Sequence, residues 1–137
     1  MTIKRIDHVA IVVSDLDAAR AFYEEALGLT VSEVRDVEAE EVRIAFLPVG
    51  DSKIELLQPI TETSGVAKYL AKRGEGMHHI CLEVEDIERV CERLTARGVR
   101  LLSEAPNVGP DGRKYIFAHP KDAFGVLVEL YEYPDAS

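Results

Sequence analysis

Two histidines and two glutamates recur at matching places along the chain. His8 sits in Ile6-Asp7-His8-Val9-Ala10-Ile11-Val12-Val13-Ser14-Asp15-Leu16, and this stretch returns 71 residues later as Met77-His78-His79-Ile80-Cys81-Leu82-Glu83-Val84-Glu85-Asp86-Ile87. Lys53-Ile54-Glu55-Leu56 returns 74 residues later as Leu127-Val128-Glu129-Leu130. Within each copy the glutamate follows the histidine at nearly the same distance, 47 residues in the first and 50 in the second. A lone strand histidine is ordinarily a hydrogen-bonded core residue, but a carboxylate inside an apolar strand is costly to bury without a partner. Repetition of both in register therefore points to a ligand set. Two neutral imidazoles and two carboxylates suit a borderline divalent ion, and on an octahedral ion they leave two positions for water or a chelating substrate. A closed tetrahedral zinc site with the same four groups would be structural instead.

The elements that must position these residues follow from periodicity. On a strand, His8, Ala10 and Val12 share one face while Val9, Ile11 and Val13 share the other; His79, Cys81 and Glu83 share a face opposite Ile80, Leu82 and Val84. A helix follows each strand. Leu16, Ala19, Phe22, Tyr23, Ala26 and Leu27 fall at helical spacing, with the Phe22, Tyr23 and Leu27 stripe expected in the core, as do Ile87, Val90, Cys91 and Leu94 in the second copy. Ser14 with Asp17 reads as a capping box, Asp86 caps the second helix, and Gly28 and Gly98 suit the left-handed position after each end. Strands are expected at Leu29–Arg35, Val42–Val49 and Lys53–Gln58, then at Arg100–Ser103, Lys114–Ala118 and Val126–Tyr131. Gly50-Asp51, Pro110-Asp111-Gly112 and His119 to Gly125 supply the turns, and Ser64–Arg73 reads as a connecting helix ending at Gly74-Glu75-Gly76. Each half thus reads β-α-β-β-β: one module over about 3–60, a linker helix over about 61–75 and a second module over about 76–133, together one domain across 1–137. Two such modules about a pseudo-twofold axis would bring the two imidazoles and two carboxylates together.

Composition narrows the function classes. A chain of 137 residues with 47% hydrophobic and 30% charged residues has enough apolar material for a folded core. A net charge of -9 and a pI near 4.9 leave no broad electrostatic footprint for nucleic acid, so an anionic ligand needs a local basic cluster. No apolar run approaches the roughly 20 residues of a membrane span, and Met1 to Ile6 lacks the apolar region of a signal peptide, which predicts a cytoplasmic protein without a membrane partner. Cys81 and Cys91 match no metal or redox spacing and read as two buried thiols.

The pattern resembles the vicinal oxygen chelate (glyoxalase/bleomycin resistance/dioxygenase) superfamily over nearly the whole chain. Asp7-His8-Val9-Ala10, Ile54-Glu55-Leu56-Leu57-Gln58-Pro59, Gly76-Met77-His78-His79-Ile80-Cys81, and His119-Pro120-Lys121-Asp122 leading into Gly125-Val126-Leu127-Val128-Glu129-Leu130 resemble its methylmalonyl-CoA epimerase family, the last two segments most specifically. The resemblance implies an α+β fold of two tandem βαβββ modules forming an open eight-stranded half-barrel around a metal site. It implies metal ligands at His8, Glu55, His79 and Glu129, one divalent ion per chain, with Co2+ expected and Mn2+, Ni2+ or Zn2+ as alternatives. The reaction implied is a 1,1-proton transfer through a metal-bound enediolate that interconverts the two epimers of methylmalonyl-CoA. Such an inversion needs an acid/base group on each side of the reacting carbon.

Some members of the family place a glutamate base on the third strand, where this chain has Ile44; Glu40 and Glu41 lie toward that strand's start, and Arg43 faces the other way. The ligand carboxylates Glu55 and Glu129 are then the best acid/base candidates, with Glu83 and Glu104 as weaker ones on expected solvated surface. Lys121, His119 and Arg113 are candidate substrate contacts, and Lys114, Lys68, Lys72 and Arg73 are further cations for a CoA tail. His78 alternates away from the ligand face. The partner implied is a small-molecule CoA thioester, and exposed edge strands make a homodimer the expected assembly. Competing readings are a glyoxalase I (lactoylglutathione lyase)-type isomerase, an extradiol dioxygenase, and a metal-free binding module. The second carboxylate counts against the dioxygenase, and four intact ligand positions count against the module.

Overall fold

A computed structural model describes residues 3–134. The chain divides into two compact units, one formed by residues 8–78 and the other by the chain up to Asp7 together with residues from His79 onward. Strands β1 (Ile3–Val12) and β5 (Gly76–Val84) each begin in one unit and end in the other.

In the unit of residues 8–78, β1 pairs in parallel with β4 (Ser52–Pro59), β4 antiparallel with β3 (Val42–Val49), and β3 antiparallel with β2 (Glu33–Val37). Two parallel neighbours cannot be joined by a hairpin, so the chain between them must cross over, and here it does so through α1 (Leu16–Arg20), β2 and β3. One face of the sheet buries Val13, Ala45, Leu47 and Leu56 against Leu16 of α1, with Ala19 and Tyr23 alongside. The other face holds Ala10, Val42, Ile44 and Leu57, covered in part by Val66 of α2 (Gly65–Arg73). The second unit repeats the scheme. β5 runs parallel to β8 (Val128–Glu132), which pairs antiparallel with β7 (Lys114–Ala118), and β7 with the two-residue β6 (Asn107–Val108). Its core joins Val84, Ile116 and Leu130 to Ile87 and Val90 of α3 (Ile87–Ala96).

The caps explain where the helices begin and end. Asp86 accepts from the Arg89 amide at 3.2 Å, and Ser64 from the Ala67 amide at 2.9 Å. Gly28 and Gly98 both take φ of +83°, the left-handed backbone that closes a helix at little cost only for glycine. The first helix departs from expectation at both ends. Asp15, and not Ser14, is its cap, accepting from the Asp17 and Ala18 amides at 3.0 and 3.3 Å. Ser14 instead gives its amide and hydroxyl to Glu75. Past Arg20 the helix widens into a π turn over Ala21–Ala26, closed by the Leu27 amide on the Phe22 carbonyl at 3.0 Å. The wider turn shifts the helical face. Tyr23 stays against the core, whereas Phe22 and Leu27, expected there, are 54% and 55% exposed.

Edge strands also differ from the expected spans. Leu29 and Val31 pack on the core as a loop, and pairing begins only at Glu33. Arg100–Ser103 makes one bridge, Leu101 to Ala118, and pairing resumes at Asn107, just past Pro106, which has no amide to donate to a ladder. β8 starts at Val128, two residues late, because the preceding turn ends in the left-handed Gly125.

The revised cap makes a simple stability prediction. Asp15→Ala should lower the urea unfolding free energy by about 1 kcal/mol with an unchanged denaturant slope, as expected for a lost N-cap. Ser14→Ala, which removes an exposed contact to Glu75, should cost less; the reverse order would return the cap to Ser14.

Candidate metal and acid/base site

In the unit of residues 8–78, His8 and Ala10 lie on the sheet face away from α1, and Ala10 is the register partner of Glu55 on β4. A fully buried alanine directly across from the carboxylate leaves room beside it, and His8, two residues earlier on the same face, fills that room. Its Nδ1 stands 3.2 Å from Glu55 Oε2, with His8 2% and Glu55 8% exposed. The other unit builds the same arrangement. Cys81, also small and fully buried, is the register partner of Glu129, and His79 two residues earlier places Nε2 3.1 Å from Glu129 Oε1. The edge of the Phe117 ring, itself opposite Glu129 on β7, stands against the His79 imidazole with centroids 5.6 Å apart. All four expected ligands are thus buried, and each imidazole is paired with the expected carboxylate of its own module.

Ile44 is 8% exposed and packs with Ala10, Val42 and Leu57, so an aliphatic side chain holds the place where the resemblance points to a glutamate base in some members of the family. Neither neighbouring acid substitutes for it. Glu40 ends the exposed turn Glu38–Glu40, while Glu41, at φ +56°, accepts from the Thr63 hydroxyl. Arg43 points the other way, onto Asp36 at 2.7 Å.

Of the weaker acid candidates, Glu83 is not on solvated surface. It is buried and receives Arg5 at 2.6 Å and Lys4 at 3.4 Å. A carboxylate held by two cations is occupied in structure. Glu104 is exposed in the loop before β6. His78 turns to the Tyr69 ring, centroids 4.8 Å apart. Neither cysteine is in a disulfide; Cys81 is fully buried, and Cys91 is half-buried with its thiol pushed up by burial.

The candidate substrate residues separate. His119 Nδ1 accepts the Lys121 amide at 3.1 Å, so His119 shapes its loop. Lys121 is exposed. Arg113 binds Asp111 at 2.6 Å and lies over the rings of Tyr131 and Tyr133, 5.3 and 5.5 Å from their centroids. Lys114 is engaged by Glu88 at 2.8 Å, and Arg73 lies 5.8 Å from the Tyr69 ring centroid. Lys68 and Lys72 are exposed on α2.

Sequence reasoning missed one buried polar group next to His8. Asp7 is fully buried and accepts from Arg5 at 3.1 Å and from the Tyr133 hydroxyl. Burial first, and then the Asp7 carboxylate, push the Tyr133 hydroxyl well above the usual phenol range, so it stays a proton donor to Asp7. Its tyrosine partner lies 126 residues away and left no local signal.

Residues 7–117 match the model of the Glyoxalase/Bleomycin resistance protein/Dioxygenase superfamily. The chain is 45% identical over 127 residues to the mitochondrial methylmalonyl-CoA epimerase of Homo sapiens, covering 92% of this chain and 72% of that one. It is 45% identical over 130 residues to the ethylmalonyl-CoA/methylmalonyl-CoA epimerase of Cereibacter sphaeroides, covering 93% and 97%. A solved structure of a methylmalonyl-CoA epimerase in complex with methylmalonyl-CoA and ammonium superposes with a TM-score of 0.86 at 38% identity, covering 99% of each chain.

The loop that leads toward Glu129 is held by one further ion pair. The Arg100 side chain and amide donate to Asp122 at 2.8 to 3.1 Å and hold its carboxyl down to about 2. A lowered carboxyl pKa stabilises the fold above the unfolded value near 4, and that contribution is lost as pH falls toward 2. Carbon-detected titration of Asp122 should therefore show a midpoint near 2 that moves back toward the ordinary carboxylate range in Arg100→Gln. An unmoved midpoint would dissociate Arg100 from the loop.

Proposed function

The chain belongs to the Glyoxalase/Bleomycin resistance protein/Dioxygenase superfamily, and from that premise we propose that it is an epimerase interconverting the two epimers of methylmalonyl-CoA. The observation that carries this reading is 45% identity to an ethylmalonyl-CoA/methylmalonyl-CoA epimerase along almost the full length of both chains. The two buried imidazole and carboxylate pairs are the chemistry it requires.

We assign His8, Glu55, His79 and Glu129 as the ligands of one divalent ion. The donor set fits: two imidazole nitrogens and two carboxylate oxygens, each nitrogen already within 3.2 Å of its module's carboxylate. Cobalt is the ion we assign, with manganese, nickel or zinc as substitutes the same donors accept. Such an ion supplies Lewis acidity toward the substrate oxygens as negative charge develops on them.

The chain's own residues must move the proton. Removing the hydrogen next to a thioester carbonyl leaves a planar carbon, and inversion requires that a proton return from the opposite face. With Ile44 aliphatic, Glu83 held by Arg5 and Lys4, and Asp7 held by Arg5 and the Tyr133 hydroxyl, the carboxylates left in the buried set are Glu55 and Glu129. We assign the two as an acid/base pair that acts when each carboxylate stands off the ion: one takes the α-proton, and the other, in its acid form, donates to the opposite face. One turnover exchanges their protonation states, which readies the pair for the reverse reaction. His8 and His79 fix where each carboxylate stands. Lys121 is the exposed cation assigned to the CoA end of the substrate, with His119 setting its loop and Arg113 steadied over two tyrosines.

The assembly belongs to the same reading. The outermost strand β2 carries Glu33, Arg35 and Asp36 in ion pairs, which protects that edge from pairing, so the homodimer we infer does not form through β2. Among the described residues no helix is long and apolar enough to cross a membrane, and the cytoplasm remains our proposed location.

Metal-loaded protein incubated with methylmalonyl-CoA in deuterium oxide should exchange and invert the α-proton, followed by NMR, while a chelator-stripped sample should not. His79→Ala and Glu129→Ala should each lose metal by elemental analysis and lower the exchange rate by about 100-fold or more, with unchanged far-ultraviolet circular dichroism. Full turnover in either variant would overturn the ligand assignment. Bound metal without exchange would overturn the substrate.

A further inference from the structure

The connection between β7 and β8 is built differently from its counterpart. In the first module β3 and β4 are joined by the tight turn at Gly50 and Asp51, whereas the equivalent strands β7 and β8 are joined by residues 119–127. This longer loop is held firmly. The His119 amide bonds the Arg100 carbonyl at 2.8 Å, and the Gly125 amide reaches back to the Pro120 carbonyl at 2.7 Å. Asp122 is clamped by Arg100 through three donors.

At its tip the loop presents an aromatic ring in an unusual state. Phe124 has φ +58°, a backbone conformation costly for a bulky side chain, and it is 100% exposed. Nothing in folding accounts for a phenylalanine there, since glycine would adopt that φ without strain and bury no less. Lys121 is three residues earlier, at the other end of the same turn, and is likewise exposed. Among the described residues neither the Lys121 ammonium nor the Phe124 ring has an ion-pair or ring partner. Arg100, by contrast, is spent on Asp122.

We propose that Phe124 and Lys121 form a platform for the nucleotide end of the CoA thioester, the ring stacking on the adenine and the ammonium meeting a phosphate. The inference deepens the epimerase reading and rests on it for the identity of the ligand. An exposed ring offers a full face to a base, and such stacking tolerates water at its edges. A strongly acidic chain can hold a polyanion only where a cation is free locally, and this loop supplies one. Placement agrees. Phe124 precedes Glu129 by five residues, at most about 18 Å of extended chain, so the platform stands at a distance from the acid/base carboxylate that a long thioester can span. Because the first module has only a two-residue turn at the equivalent place, the duplicated fold carries this platform once.

The test is calorimetric binding of free CoA and of pantetheine, which lacks the nucleotide, to the wild type, Phe124→Gly, Phe124→Trp and Lys121→Gln. Phe124→Gly relieves the positive φ, so its thermal midpoint should not fall. Its CoA affinity should drop about five-fold or more and Phe124→Trp should retain it, while pantetheine binding stays as in the wild type. Lys121→Gln should weaken CoA and flatten the salt dependence of its binding. Equal CoA affinity in Phe124→Gly and wild type, or an equal loss for pantetheine, overturns the platform. So does a change of oligomeric state in sedimentation without a change in CoA affinity, which would give the ring to a second copy of the chain. The two readings fail separately. CoA binding that depends on Phe124 with no α-proton exchange sinks the epimerase and keeps the platform; exchange with CoA binding indifferent to Phe124 does the opposite.

Discussion

A carboxylate placed in the middle of a buried strand has to meet a compensating group, and this constraint organises each half of the molecule. Glu55 and Glu129 are 8% and 6% exposed among apolar neighbours, where an ionised group without a partner is strongly disfavoured. Each is answered by an imidazole on a neighbouring parallel strand. Parallel pairing explains the chain order, because β1 and β4, or β5 and β8, can lie side by side only if the chain between them crosses over a helix and two strands. The helix then covers one face of its sheet and leaves the opposite face for the histidine and the carboxylate. The βαβββ order is thus what brings a histidine on a first strand and a glutamate on a last strand within 3.2 Å.

The register shows how closely the halves correspond despite unequal spacing. His-to-Glu separations of 47 and 50 residues differ by three, yet in both units a small buried residue, Ala10 or Cys81, is the partner of the carboxylate and the histidine stands two places before it. Loops absorb the difference, including the long β7 to β8 connection that carries Phe124 and Lys121. That connection is held by Arg100 and Asp122, which fixes the backbone that carries an exposed pair of side chains without support from the core.

Legibility of the sequence followed how local each cause was. Val42–Val49 and Lys114–Ala118 coincide with β3 and β7, each paired along its whole length with the strand that follows it, and the Asp86 cap and Gly98 stop are determined within a few residues. The four ligand-type residues were visible because the chain states them twice. What stayed hidden depends on distant groups or on backbone choices with no side-chain signature. The π turn at Ala21–Ala26 takes Phe22 and Leu27 out of the core although their spacing is that of an ordinary amphipathic helix. Glu83 looks like a surface acid until Arg5 and Lys4 are found beside it, and the buried Asp7 needs Tyr133 from the far end of the chain.

Asp7 also bears on how β1 is held. Adjacent strand residues point to opposite faces, so the side chain that fixes Asp7 between Arg5 and Tyr133 also fixes the rotation of the peptide that presents His8. A shift of β1 by one residue would expose His8 to the helix side and bury the wrong neighbours, and it would strand the Asp7 carboxylate, which is fully buried and relies on Arg5 and Tyr133. The cost of an unsatisfied carboxylate therefore acts on two strands: on β4 Glu55 demands a partner, which His8 supplies, and on β1 Asp7 is held by Arg5 and Tyr133. Ile44 contributes only packing, and the carboxylate near it, Glu55, is held where burial demands a partner.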